Sequence, residues 1–549
     1  MARAEAATVG QRPRLTTSSW GLGRYTPSFP ALLRVLAALI VAAMLLPIAY
    51  LIMRAVGAGA DTWQLLLHPR TVDVFVRTAL LALTVTGAAI AISVPVAWLT
   101  VRTDLPFRKV WSVLAILPLA VPTYVGGFIL VAALGPKGML QQLLAGPLGI
   151  QRLPEIYGFP GAFLALTLFS YPYLLLSVRS GLRGLDPALE EASRSCGKSG
   201  WSTFWRVTLP QLRPSIASGS LLVALYALSD FGAVSLLQFD SFTRVIYLQY
   251  QASFDRTMAA LLALLLVAFT GAVVLMEVRM RGRARYYRSS AGTARPAPIA
   301  RLGAWRWPAL AFCSLVVFFA LVMPLLVLGY WLTRGLAAGI DLGPIGAALA
   351  SSAYASALAA AAAVAAALPI TILSVRYPGK VNSLLEQATY AGFALPGIVI
   401  ALALVFFGAN YVPFLYQTLA LLVLAYVVRF LPQAVGAARS SLLQVSPSLE
   451  EAARSLGRSQ LQVLATVTIP LVRPGLVAGL AMVFLTTMKE LPATLLLSPI
   501  GFKTLATSIW SATSDGYFGE AAAPALLLLL VSAVSMAFLV RSEGRSRVD

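Results

Sequence analysis

Acidic side chains are scarce in this chain: 21 Asp and Glu in 549 residues, against 42 Lys and Arg. Two of them, Asp230 and Glu490, fall inside or near the outer end of long apolar runs, 260 positions apart. An acid at the centre of a bilayer costs about 2.5–3.5 kcal/mol on insertion scales, so it usually faces a bundle interior. The two carboxylates could line a translocation path, where hard cations prefer oxygen ligands. They could equally lie at the outer interface and pair with Arg244 or Lys503. Tyr124, Tyr171, Tyr173 and Tyr226 are further candidates for lining such a path, with aromatic packing as the plainer alternative. No permanent metal site is evident. The one histidine, His68, reads as a surface loop residue, and Cys196 and Cys313 are too far apart in the chain for a disulfide framework or a metal cluster. Gly197-Lys198-Ser199 has the form of the end of a phosphate-binding loop. That pattern needs a glycine where Ala192 stands, and no strand precedes it. The chain is therefore not expected to hydrolyse ATP itself.

These residues must be positioned by membrane helices. Of the chain, 59% is hydrophobic and only 11% charged, too little charge to cover a soluble protein of this length. Apolar runs of about 20 residues recur, each long enough to cross a bilayer as a helix. The runs do not alternate as barrel strands would. The expected fold is all-α and polytopic, with about twelve transmembrane helices. The first six sit near 31–54, 76–99, 110–134, 160–179, 216–238 and 257–278. The second six sit near 308–331, 349–374, 388–408, 414–437, 475–498 and 521–540. The first run is too long for a signal-peptide core and reads as a retained span. Pro122, Pro172, Pro396 and Pro432 should kink their spans.

Basic residues set the orientation. A linker at 279–307 carries Arg279, Arg281, Arg283, Arg285, Arg288, Arg295, Arg301 and Arg306 and no acid. It is expected in the cytoplasm. An N-terminal tail (1–30, with Arg3, Arg12, Arg14 and Arg24) and a C-terminal tail (542–549, with Arg545 and Arg547, just past Arg541) then fall on the same side. The net charge of +21 is read as this bias, and no nucleic-acid partner is expected.

The chain repeats itself. Residues 189–219 and 449–479 align without a gap, with 14 identities in 31 positions. Upstream, Pro95 and Pro122 match Pro369 and Pro396 at an offset of 274, which places 14 extra residues in the outer loop 135–159. Two domains, 31–278 and 308–541, are thus expected as parallel six-helix repeats about an axis along the membrane normal.

Each repeated segment (about 186–214 and 446–474) lies between spans four and five. Asp186-Pro187 and Ser446-Pro447 form an N-cap with proline at the first helical position. Glu190, Glu191, Glu450 and Glu451 sit near the positive end of the helix dipole. Leu185, Leu189, Ala192 and Cys196 make an apolar stripe, echoed by Val445, Leu449, Ala452 and Leu456. Gly197 and Gly457 stop the helix. A second short amphipathic helix follows, through Trp201, Phe204 and Trp205 in one copy and Leu461 and Leu464 in the other. Leu209-Pro210 and Ile469-Pro470 are expected to end it.

Glu191-Ala192-Ser193 with Gly197, and Glu451-Ala452-Ala453 with Gly457, each followed by the proline pair, resemble the "EAA" loop of bacterial ABC importer permeases. The resemblance implies a type I importer fold. It implies that both loops form coupling helices docking on an ATPase dimer, which carries ATP and Mg, and that a periplasmic solute-binding protein delivers the solute to the outer face of the inner membrane. Ser193 is a departure from the motif's third position. The fused layout, with Tyr171-Pro172-Tyr173, Asp230-Phe231-Gly232 and the run Lys489 to Leu497, is similar to the ferric-iron permeases, which implies ferric iron as cargo. Thiamine, phosphonate and sulfate permeases have similar loops. An ion-coupled secondary transporter would keep its loop motif between spans two and three. A membrane enzyme would need a cluster of His, Cys or acids at one depth, which the sequence lacks.

Overall fold

A computed structural model of the chain describes residues 28–59, 64, 68–149, 152–252, 257–281 and 299–545. Arg3, Arg12, Arg14, Arg24, Arg283, Arg285, Arg288, Arg295 and Arg547, on which the orientation reading partly rests, lie outside them.

Lipid offers no partner to a backbone N–H or C=O, so apolar runs satisfy these groups internally as helices. Among the described residues, ten helices are long and apolar enough to cross a membrane, and two shorter apolar ones, Gly397–Tyr411 and Phe518–Val534, accompany them. The only pairing of strand type among these residues is an isolated bridge between Thr103 and Ala300. It ties the end of the inter-half linker to the end of span two. There Ala300 N donates to Arg102 O, and Asp104 accepts from Leu302 N.

Each half is built on three helices packed closely together: Pro69–Arg102, Phe159–Gly184 and Gly200–Ser229 in the first, Gly343–Arg376, Leu419–Leu442 and Gln460–Met488 in the second. Small residues let spans four and five approach. A Cβ at Gly219 would stand 3.0 Å from Leu174 Cα, and one at Gly475 would stand 2.3 Å from Ser441 Cβ. Small-residue contact is the usual basis of helix packing in lipid, where hydrophobicity does not discriminate between protein and solvent. The first span of each half reaches across to the other. Ser28–Val56 packs on Gly343–Arg376, and Trp331 Nε1, in the first span of the second half, donates to Ala132 O at 3.0 Å. One hydrophobic core therefore runs through both halves.

Two expectations about span five are corrected. The helix occupies Gly200–Ser229 and Gln460–Met488, not 216–238 and 475–498. Pro210 and Pro470 do not end the preceding helix. In each copy a π-helical turn (Phe204–Thr208, Leu464–Thr468) carries the chain into span five. Leu209 N bonds to Phe204 O and Ile469 N to Leu464 O, one residue further back than in an α-helix. A π-turn adds a residue to the ladder and so absorbs a proline that would otherwise break it. Span three is interrupted in both halves: Thr123–Leu134 begins after Pro122, and Gly397–Tyr411 after Pro396. The extra segment of the first half holds its own helix, Met139–Leu148, and Gln142 there accepts from Tyr330 Oη.

Candidate functional site

The two repeated loops fold alike from local chemistry. Asp186 accepts from Ala188 N and Ser446 from Ser448 N, opening the helices Pro187–Ser195 and Pro447–Ser455. Gly197 (φ 76°) and Gly457 (φ 84°) take the left-handed conformation that terminates them. Ser199 and Ser459 then cap the start of the long fifth helices.

The adjacent glutamates have opposite fates. Glu191 and Glu451 are exposed, with Ala192 and Ala452 beside them. Glu190 and Glu450 point inward. Glu450 Oε1 receives Arg376 Nη2 at 3.1 Å and Thr468 Oγ1 at 3.1 Å. Glu190 Oε1 receives Thr208 Oγ1 at 2.9 Å, with Arg102 Nη2 3.8 Å away. Each loop is thus clamped to the end of span two and the head of span five. Arg102, Arg376, Thr208 and Thr468, which hold the two loops, are residues the sequence reading did not place at the site. The signal was present, because the arginines repeat at the proline offset of 274 and the threonines at 260.

The apolar stripe divides in the same way. Val445 is buried and Leu185 half-buried at the base of the loops, while Leu189, Leu449, Cys196 and Leu456 (85% exposed) face outward. Trp201 and Leu461 are exposed too, and Pro210 and Pro470 lie at the loop's exit. Ser193 is explained by its neighbour. Its hydroxyl lies 3.1 Å from that of Thr203. In the second copy the corresponding residues are Ala453 and Val463. A hydroxyl pair in one loop stands where the other loop carries two apolar side chains.

The acids Asp230 and Glu490 sit just past the ends of the fifth helices. Neither pairs as the interface alternative required, since Arg244 bridges to Asp240. Asp230 accepts from Thr123 Oγ1, Ala233 N (3.0 Å) and Val234 N (3.2 Å), and so caps the short helix Gly232–Leu236. Glu490 accepts from Ala493 N at 3.4 Å and lies 3.5 Å from Arg429 Nε. Of the tyrosines, Tyr124 is buried at this break, and Tyr173 and Tyr226 are in ring contact at 5.2 Å. Tyr171 is placed apart from them, fully buried, its hydroxyl donating to Ala115 O at 2.8 Å.

Residues 89–282 and 362–548 each match the family described as binding-protein-dependent transport system inner membrane component, one match per half. The chain belongs to this family. The permease is 35% identical to the Fe(3+)-transport system permease protein FbpB 2 of Haemophilus influenzae, over 93% of its own length and 98% of that protein's. It is 25% identical to the ferric transport system permease protein FbpB of Actinobacillus pleuropneumoniae, over 80% of its length and 66% of the relative's. The probable sulfate transport system permease protein cysT of Chlorokybus atmophyticus is 29% identical over 41% of the permease and 80% of its own chain. The permease is therefore the multi-pass inner-membrane transport subunit of an ABC importer. Dependence on a binding protein implies that protein and an ATPase as partners.

The Ser193–Thr203 contact makes a direct prediction for the permease. Ser193→Ala alone should cost about 0.5–1.5 kcal/mol in melting of the purified protein, because Thr203 is buried and loses its partner. Adding Thr203→Val rebuilds the second copy's pairing and should restore most of that loss.

Proposed function

We propose that this permease imports ferric iron, driven by an ATPase dimer that grips its two loops at the cytoplasmic face. The iron arrives from a periplasmic binding protein at the outer face. The N- and C-termini lie in the cytoplasm, as the arginine bias of tails and linker requires. Leu189, Ala192, Glu191 and Trp201 in one loop, and Leu449, Ala452, Glu451, Leu456 and Leu461 in the other, form the ATPase-facing surfaces. Glu190 and Glu450 pass the motion to spans two and five. ATP and Mg stay on the ATPase, and the iron is cargo.

The observation that carries the iron reading is the extent of the likeness. The ferric relatives align across both halves, to 93% and 80% of the chain. The sulfate relative aligns with 41%, about one half, which favours sulfate as the second reading. The test is transport in liposomes holding the permease with its ATPase and binding protein. ATP-dependent entry of ⁵⁵Fe, unaffected by excess sulfate, is expected. Entry of ³⁵S-sulfate with no iron would replace the first reading by the second.

A further inference from the structure

The two halves differ at the loop-side end of span four, where the first half carries a cation without its acid. In the second half Arg439, near the end of Leu419–Leu442, bridges to Glu386 on the helix Lys380–Thr389 at 2.9 Å. The counterpart of Arg439, 260 positions earlier, is Arg179, but the counterpart of Glu386, 274 positions earlier, is Ser112. Arg179 still lies against that place, since its Nη1 donates to Ser112 O at 2.7 Å. It is only 8% exposed, and its Nε is buried without a partner among the described residues. The charge that acts on it is that of Arg183, one turn further along the span, a second cation. Like charges at that spacing repel, and a buried charge is ordinarily paired. An unmatched donor on such a group calls for a reason.

The surroundings add charge of the same sign. Arg183 and Lys109, both exposed, stand where the second half has Leu443 and Ser383. Lys109 is one turn before Ser112, whose hydroxyl donates to its carbonyl at 2.9 Å. The short helix that carries them, Arg108–Leu114, has two sides. Trp111 packs into the cluster of Leu99, Leu105 and Cys313, so the helix is held against span two and the first span of the second half. Phe107, Val110 and Val113 are exposed. Exposed apolar side chains beside lysine and arginine, at the ends of membrane spans, are the composition of a segment lying in the headgroup layer. Its apolar side meets the acyl boundary, and its cations meet lipid phosphates.

We propose that an anionic phospholipid, from the leaflet on the side of the two loops, takes the place at Arg179 that Glu386 fills at Arg439. Its phosphate oxygens accept from Arg179, Lys109 and Arg183 flank the headgroup, and its acyl chains run along Phe107, Val110 and Val113. A zwitterionic lipid offers the same phosphate but brings a further cation to a place already in excess of them, so an anionic headgroup is preferred. The lipid holds Arg108–Leu114 to span four, as the Glu386–Arg439 pair holds Lys380–Thr389 in the other half. The second half, with its own acid, has no such requirement.

The test titrates the permease–ATPase complex in detergent with phosphatidylglycerol or phosphatidylcholine. Native mass spectrometry counts the bound lipid, and melting is followed alongside. Phosphatidylglycerol is expected to bind its first site about tenfold more tightly than phosphatidylcholine and to raise the melting temperature. Ser112→Glu supplies the acid from within the chain. It should abolish that preference, while its melting in phosphatidylcholine rises to the level the unmodified complex reaches in phosphatidylglycerol. Arg183→Leu copies the second half at an exposed position, so assembly should be unchanged and phosphatidylglycerol binding about fivefold weaker. An undiminished preference in Ser112→Glu, or none in the unmodified complex, overturns the proposal. Inorganic phosphate that reproduces the melting shift in phosphatidylcholine overturns it too, by making the ligand a free anion. A preference present in the permease alone and absent once the ATPase is added also overturns it, and assigns the acid to the ATPase.

Discussion

Replacing Glu450 with alanine is expected to reduce ATP-driven uptake about a hundredfold or more, while Glu451→Ala next to it leaves the fold untouched and weakens only ATPase binding. The difference lies in burial. Glu450 and Arg376 expose 14% and 12% of their side chains, and the arginine makes two contacts to the carboxylate through Nε and a third through Nη2. Removing one partner of a largely buried pair costs about 3–5 kcal/mol, because the remaining charge is stranded. Each 1.4 kcal/mol is a factor of about ten in population, so the loop would leave its clamped position most of the time. Span two and span five would then no longer follow the ATPase. The measurement is solute uptake alongside ATP hydrolysis in the same vesicles: hydrolysis should persist and uptake should not. Normal uptake by Glu450→Ala in an intact complex would show that the clamp transmits nothing. Glu451→Ala checks the other surface, and its expected sign is a lower yield of ATPase on co-purification with unchanged melting.

The loops were legible in the sequence because everything that shapes them is local. An N-cap, a proline at the first helical position and a glycine with positive φ lie within a dozen residues of one another, and their chemistry does not depend on distant neighbours. The clamp was not legible in the same way. Arg102 and Glu190 are 88 positions apart, and near a helix N-terminus a glutamate reads equally well as a dipole partner. The ends of span five were misread for a different reason. Hydropathy continues through Ser229-Asp230-Phe231-Gly232, so a 20-residue window slides past the true end. Pro210 and Pro470 looked like stops because π-turns leave no mark in composition. A better signal was the acid itself: Asp230 stands two residues before a short helix that opens on a glycine, an N-cap pattern. Tyr171 shows the converse. Its proline-flanked aromatic setting suggests a path, yet packing and the Ala115 carbonyl account for it fully.

Neutralising Asp230 and Glu490 one at a time should give unequal results, although they occupy equivalent positions in the repeat. Asp230→Asn is expected to keep uptake within about twofold of normal, since asparagine caps a helix about as well as aspartate and can still meet the Thr123 hydroxyl. Glu490→Gln keeps the amide contact with Ala493 but removes the counter-charge of Arg429. That guanidinium cannot retreat easily, because the start of Gly397–Tyr411 closes over it. Its side chain is 22% exposed, so some solvent screening lowers the cost to the bottom of the buried-pair range, about 3 kcal/mol. Uptake or assembly should therefore fall on the order of a hundredfold. Initial uptake rates normalised to assembled complex, with melting temperatures alongside, separate the two effects. Equal losses from Asp230→Asn and Glu490→Gln would mean that both carboxylates act directly on the solute. The repeat has placed an acid at each helix end, but only the second half has added an arginine, at the position where the first half carries Phe169. The same three-dimensional place has thus become a hydrogen-bonded cap on one side and an ion pair on the other, and it is this divergence that the unequal losses would measure.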